Sequence, residues 1–248
     1  MKKFVLFVLT ITLFLATLIY VAFRWGSEWI SSVVADIIPI EVQEKIGEAS
    51  LKQLEIQELE KTKLPVFTQE KIKSRFLKIV QQDTTHLKIL FYDAPYPNAF
   101  ALPGNYIVIL DSIVKLSQDT ITYNDVIGVM AHEMGHLHFK HSLKLVIKSG
   151  LTAMVISYFI GDISSFVASI THQLLTLSYS RSYEEEADDY AIYLLKKQKI
   201  PTLPLAHLLE NMSKTYKEES TLPAFLSTHP VTEERVKKLK DANLNISL

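Results

Sequence analysis

Val129-Met130-Ala131-His132-Glu133-Met134-Gly135-His136-Leu137 is the stretch on which the fold of this 248-residue chain turns. Four residues advance an α-helix by about 400°, so His132 and His136 project from one face a turn apart. Glu133 then sits about 100° around the axis. The flanking Val129, Met130, Ala131, Met134 and Leu137 make this a largely buried helix, and buried imidazoles need polar partners. Two imidazoles stacked in this way can share one zinc ion, while the Glu133 carboxylate reaches the attacking water instead of the metal. Upstream, Thr122-Tyr123-Asn124-Asp125 offers N-cap candidates for the helix.

Zinc needs a third protein ligand and one open position. A third histidine in a His-Glu-x-x-His-x-x-Gly-x-x-His pattern is excluded, because Phe139 and Ser142 occupy the Gly and His places. His138 and His141 point away from the ligand face and read as structural or solvated. The remaining route is a carboxylate from a later helix. Ser180-Arg181-Ser182-Tyr183-Glu184-Glu185-Glu186-Ala187-Asp188 opens such a helix. Taken alone, an acidic run of this kind is a solvated face with a favourable dipole interaction. Glu184 and Asp188, however, share one face, and Ala187 and Ala191 permit close packing on the histidine helix. Glu184 is therefore the expected third ligand, and Asp188 the acceptor for a ligand imidazole. Glu185, Glu186 and Asp189 read as exposed.

The chain has no cysteine, so thiolate metal sites, disulfides, a cysteine nucleophile and a lipid-bearing cysteine are all excluded. The formal net charge of −1 gives no field for nucleic acid, and none is expected as a partner. Phe4 to Phe23 is an uncharged run of 20 residues, about 30 Å as a helix. It exceeds the usual apolar core of a cleaved signal peptide, about 7–15 residues, and ends without a small-residue site. Tyr20, Trp25 and Trp29 fall where interfacial aromatics sit. We therefore expect residues 1–24 to form a membrane anchor and residues 25–248 the catalytic domain. Lys2 and Lys3 keep the N-terminus cytoplasmic, which places the domain across the membrane, in the periplasm of a bacterium.

Glu41 to Leu59 and Lys71 to Val80 read as helices. Lys88 to Tyr92 and Tyr106 to Leu110 read as strands, and Pro103-Gly104 between them suits a type II turn. The expected class is α+β: a mainly helical, gluzincin-like zincin domain with a small β-sheet, plus the N-terminal transmembrane helix. The apolar segment Leu143 to Leu177 must cross a membrane twice or not at all, because His136 and Glu184 meet at one metal. Lys144, Lys148, His172 and Gln173 favour a non-spanning hairpin over the site or dipping into the interface.

His229 precedes Pro230 and the final helix from Thr232. From the residues alone, Ser227-Thr228-His229-Pro230 either only orients that helix or folds back to the cleft. In the cleft, His229 could stabilise an oxyanion or occupy the open metal position.

Four motifs, His-Glu-x-Gly-His-x-x-x-x-His at 132–141, Ser-Arg-x-x-Glu-x-x-Ala-Asp at 180–188, Asn-Ala-Phe-Ala-Leu-Pro-Gly at 98–104 and Ser-Thr-His-Pro at 227–230, are together highly specific. They resemble the zinc peptidase family that includes HtpX, the type I CAAX prenyl proteases and BepA. The similarity runs over roughly residues 38 to 240 and is closest to the BepA-like branch, without its C-terminal helical repeats. The resemblance implies one zinc per chain on His132, His136 and Glu184, with Glu133 as general base, Asp188 behind a ligand and a functional role for His229. Asn105 departs from the family's second Gly, and Asn tolerates positive φ. The expected activity is that of a membrane-anchored endopeptidase on misfolded or unassembled envelope proteins. Its polypeptide substrate would add as a strand along Tyr106, Ile107 and Val108. The alternative is a catalytically silent chaperone on the same fold.

Overall fold

The computed structural model describes residues 26–80, 86–160, 179–216 and 224–244, together with Thr10, Phe14 and Thr17. Apart from those three residues, the anchor expected over residues 4–23 lies outside the described residues, as do the boundary at residue 24 and the far half of the 143–177 segment. Among the described residues no helix is long and apolar enough to cross a membrane.

Helix α1 covers residues 26–37 and α2 runs Ile40–Gln57. A two-residue strand β1 (Glu60–Lys61) and helix α3 (Val66–Val80) follow, then β2 (Lys88–Asp93), β3 (Ala99–Leu102) and β4 (Tyr106–Leu110). The sheet order is β1-β2-β4-β3. β2 lies parallel to β4, with Lys88 opposite Tyr106 and Tyr92 opposite Leu110. β3 returns antiparallel on the other side of β4, with Ala99 opposite Ile109 and Leu102 opposite Tyr106. The β3–β4 turn depends on Gly104 at φ 79°, as a type II turn demands, and Asn105 follows it at φ 66°. A Cβ on Gly104 would lie 2.4 Å from the Glu44 Cα, so α2 closes over this turn.

β3 reads from the sequence as a connector, because Ala-Phe-Ala-Leu has no polar alternation. All four of its residues are buried. Its presence corrects one expectation. Tyr106, Ile107 and Val108 are paired on both sides, to β2 and to β3, and all are buried. A strand flanked in this way has no free backbone edge, so a substrate cannot add to it. The edge near the histidine helix belongs to β3.

The sheet separates two apolar layers in the alternating fashion of strands. Phe100, Leu102, Tyr106, Val108 and Leu110 face Leu51 and Leu54 of α2. Ile89, Phe91, Ile107 and Ile109 face Ile72 and Phe76 of α3 and the helices that follow. These are α4 (Asp111–Lys115), α5 (Asn124–His138), α6 (His141–Ile160), α7 (Arg181–Lys197), α8 (Leu203–Tyr216), α9 (Ala224–Thr228) and α10 (Glu233–Leu244). The domain is thus mainly helical α+β with a small mixed sheet. Helix α5 sits at its centre, packed on α7, α8 and β3.

Candidate metal centre

Helix α5 begins one residue after Tyr123, which adopts φ 52°. No side chain at that position caps it. Asp119 does so from upstream, its carboxylate accepting from the backbone N–H groups of Ile121, Thr122 and Asn124. Burial pushes the Asp119 carboxyl up, but the Thr122 hydroxyl, which also donates to it, and these N–H groups outweigh burial and hold it at about 2. Helix α7 is capped by Ser180, whose Oγ accepts from the Tyr183 N–H. The two helices meet at a glycine. A Cβ on Gly135 would stand 2.8 Å from the Ala187 Cα and 2.9 Å from the Ala187 carbonyl. The absence of a side chain at Gly135, with only a methyl on Ala187, lets His132 and His136 approach Glu184.

The approach is close. His132 Nε2 and His136 Nε2 are 3.0 Å apart. Glu184 lies 3.4 Å from each of them, through Oε2 and Oε1 respectively. His229, just past α9, enters from the opposite side. Its Nδ1 is 3.0 Å from Glu184 Oε1 and 3.3 Å from His132 Nε2. Donor atoms of His132, His136, Glu184 and His229 all lie within 4.8 Å of one another, and all four residues are buried. Glu133 is buried beside them, with Oε1 3.5 Å from His229 Nε2.

The outer nitrogens of the two α5 imidazoles are already committed. His132 Nδ1 is 2.9 Å from Asp188 Oδ1. His136 Nδ1 is 2.9 Å from His141 Nδ1, and His141 Nε2 is 2.9 Å from Glu186 Oε2. One proton on each link satisfies this chain when His136 and His141 are both neutral, with each Nε2–H or Nδ1–H donating outward. His136 then presents an unprotonated Nε2 to the cluster. Burial lowers His141 to about 4, which suits the neutral state.

Arg235 closes the far side. Its guanidinium forks onto Asp188, Nε to Oδ2 at 2.7 Å and Nη2 to Oδ1 at 2.9 Å. The remaining nitrogen donates to the Pro230 carbonyl at 2.8 Å and lies 2.5 Å from Glu184 Oε2. Burial pushes Asp188 up, but His132 and Arg235 outweigh it and hold the carboxyl at about 2. Glu184 likewise stays well below the usual carboxylate range, its burial overcome by His229 and His132. Burial pushes His132 down, yet Glu184 and Asp188 pull it up to about 10. Burial, with the neighbouring histidines, holds His136 well below its ordinary value. The field therefore favours one positive charge between the two imidazoles and Glu184.

A divalent cation fits these residues. Imidazole and carboxylate donors suit zinc. Both Glu133 oxygens and His229 Nε2 are buried with no hydrogen-bond partner. Such atoms are costly unless something joins them. Burial raises the Glu133 carboxyl, tempered by His229 and His132. A cavity of about 210 Å³, lined by Tyr179, Arg181, Glu184, Pro230, Thr232 and Arg235, opens on the Glu184 side.

The profile of Peptidase family M48 matches residues 67–243, an interval that holds every one of these donors. The chain belongs to Peptidase family M48. Metalloprotease LoiP of Escherichia coli strain K12 is 29% identical over 157 residues, 60% of this chain and 60% of LoiP. Metalloprotease YcaL of the same organism is 25% identical over 158 residues, 58% of this chain and 57% of its own. Mitochondrial metalloendopeptidase OMA1 of Schizosaccharomyces pombe is 25% identical over 151 residues, 59% of this chain and 44% of OMA1. The matches thus span about 60% or less of the length of these M48 relatives.

The structure brings together His132, Glu133, His136, Glu184, Asp188 and His229, and for His229, which the residues alone leave open, it gives the placement in the cleft. It leaves Tyr106, Ile107 and Val108 inside the sheet. Arg235 is absent from that reading. Its signal was available, since two carboxylates on one buried face of α7 call for more countercharge than a single imidazole. The link from His141 to Glu186 is also missed. Glu186 is exposed as expected, yet it holds a fully buried histidine. Tyr179, stacked on His136 at 4.0 Å between ring centroids, is the third omission.

Proposed function

We propose that this chain is a zinc-dependent endopeptidase with one metal per chain, held by His132, His136 and Glu184. The observation that carries the reading is the convergence of four buried donors beside an unpartnered Glu133. When bound, zinc supplies Lewis-acid polarisation of the scissile carbonyl and a lowered pKa for the attacking water. Glu133, too far around the helix to join the donors, takes the water proton and passes it to the leaving amine. Its raised pKa brings the carboxyl closer to the range in which it can both accept and return a proton. Asp188 and His141 fix the tautomers of the two imidazoles, and Arg235, with His132, keeps Asp188 ionised.

His229 completes a set of four protein donors, and a set of four leaves no open position for water. This favours the inhibitory role over the oxyanion role: His229 holds a resting state and swings out when substrate enters. The β3 edge points the same way. Ser142 Oγ donates to the Ala101 carbonyl at 2.6 Å, so a polypeptide pairing along β3 displaces that bond. Anchoring by residues 4–23 in a bacterial inner membrane, with the domain on the periplasmic side, would direct the enzyme to misfolded or unassembled envelope proteins. The names of LoiP, YcaL and OMA1 support the peptidase reading.

Glu133→Gln tests it against the chaperone alternative. The variant should retain zinc and fold while losing cleavage of an unfolded polypeptide, and it should trap substrates that identify the natural clients. Cleavage at the wild-type rate would overturn the mechanism, and no cleavage by the wild-type enzyme with zinc bound would favour the chaperone.

A further inference from the structure

Helix α1 is built inside out. Ser27, Ser31 and Ala35, spaced four apart, form its buried stripe, at 3%, 0% and 0% exposure. The apolar side chains lie on the other face: Trp29 is 69% exposed, Val33 42%, Ile37 73% and Ile30 37%. At 3.6 residues per turn these four fall within about 100° of arc. A helix packed on a water-soluble domain turns its apolar arc inward. Small residues inward and large apolar residues outward is the arrangement of a helix whose outer medium is hydrocarbon.

The charges around α1 agree. Glu28 pairs with Lys148 of α6 and accepts from the Tyr183 hydroxyl at 3.3 Å. Asp36 pairs with Lys140 at 3.1 Å, and the same Lys140 ammonium donates to the Ala35 carbonyl. Both carboxylates pair with lysines of the domain; Glu28 lies well outside the apolar arc, and Asp36, 72% exposed, borders it beside Trp29. The sequence on the N-terminal side carries the uncharged run Phe4 to Phe23. That run decides between occupants. A second copy or a protein partner would have to cover α1 where the chain itself enters an apolar medium.

We propose that the outer face of α1 is a lipid-contact surface, with Trp29, Ile30, Val33 and Ile37 seated in the bilayer interface. This rests on the anchoring part of the proposed function and extends it. The anchor is not a tether with a free domain beneath it; α1 docks the domain on the membrane in one orientation. Through Lys140, just beyond α5, and Tyr183, next to Glu184, the docked face adjoins the metal centre.

The absence of cysteine makes the test direct. Single cysteines are introduced as Val33→Cys or Ile37→Cys in the full chain, with Glu233→Cys on exposed α10 as the aqueous control. Each is spin-labelled, reconstituted in phosphatidylcholine vesicles and probed with oxygen, which concentrates in lipid, and a nickel chelate, which stays in water. Labels at 33 and 37 should relax with oxygen and be shielded from nickel, and the label at 233 should show the reverse. Single-tryptophan emission after Trp25→Phe should be quenched by brominated lipid and not by iodide. Labels at 33 and 37 as open to nickel as the control would overturn the proposal. Shielding from both probes would overturn it too, in favour of a protein covering α1. In either case, protein that still resists carbonate extraction shows that the anchor reading survives and only the docking of α1 has failed.

Discussion

Replacing Arg235 with leucine keeps much of the aliphatic bulk and deletes the guanidinium that serves two buried carboxylates. Arg235 forks onto Asp188 at 2.7 and 2.9 Å and lies 2.5 Å from Glu184. Removing one partner of a buried ion pair costs about 3–5 kcal/mol, because the charge left behind has neither water nor countercharge. The depressed pKa of Asp188 gives a second route to the magnitude. A fall from 3.8 to about 2 corresponds to roughly 2.5 kcal/mol, shared between His132 and Arg235. We expect the metal-free variant to lose about 3 kcal/mol. With a urea slope of about 2 kcal/mol per molar, its midpoint falls by about 1.5 M. The assay is urea unfolding at pH 7 with a chelator present, followed by circular dichroism. Because the folded pKa of Asp188 is lowered, its contribution is present above the unfolded value near 4 and is lost as pH falls toward 2. The gap between wild type and variant should therefore narrow below pH 4. Arg235→Lys should recover only part of the loss, since an ammonium cannot fork onto Asp188 while reaching Pro230. A midpoint shift under about 0.5 M at pH 7, or a gap that widens in acid, would refute the reasoning.

Gly135→Ala places a Cβ 2.8 Å from the Ala187 backbone; it should cost about 1–3 kcal/mol and weaken zinc binding, and an unchanged chelator competition curve would exclude the close crossing as the determinant. His141→Ala should lower zinc affinity about 10–100-fold by freeing His136 Nδ1, whereas Glu186→Gln, which keeps an acceptor, should do less; equal affinities for all three proteins would sink the tautomer argument. His229→Ala should raise turnover of an unfolded substrate if His229 holds the resting state, while a loss of about 10²–10³ would make it an oxyanion donor instead.

The readable parts of this molecule are those in which local chemistry and local geometry coincide. The His-x-x-x-His spacing has meaning only on a helix, so α5 and its donors come out together. β2 and β4 carry β-branched and aromatic runs that declare themselves. Glu184 is legible because Asp188 and Ala187 fix which face of α7 turns inward. The hidden parts depend on distant residues. β3 has four apolar residues and no alternation, and it becomes a strand only because β4 offers it a partner. Arg235 sits in Glu-Glu-Arg-Val-Lys-Lys, where nothing local separates it from its basic neighbours. Its burial follows from Thr232, whose Oγ1 accepts from the Arg235 N–H and starts α10 in the register that points the guanidinium at α7. Residues 122–125 read as the cap of α5, but the anion that binds the Thr122 and Asn124 amides is Asp119.

The order in which the parts leave the ribosome gives the contact between α10 and α7 a further meaning. His132 and His136 are made first, Glu184 and Asp188 some fifty residues later, and Arg235 nearly fifty residues after those. Until Arg235 emerges, the two carboxylates of α7 lack the cation that makes their burial tolerable, and α7 has reason to stay open. His229 arrives six residues ahead of Arg235, and Arg235 grips the Pro230 carbonyl that follows it. The countercharge that permits the centre to close is thus delivered together with the residue proposed to block it. A chain that stops short of residue 229 has neither.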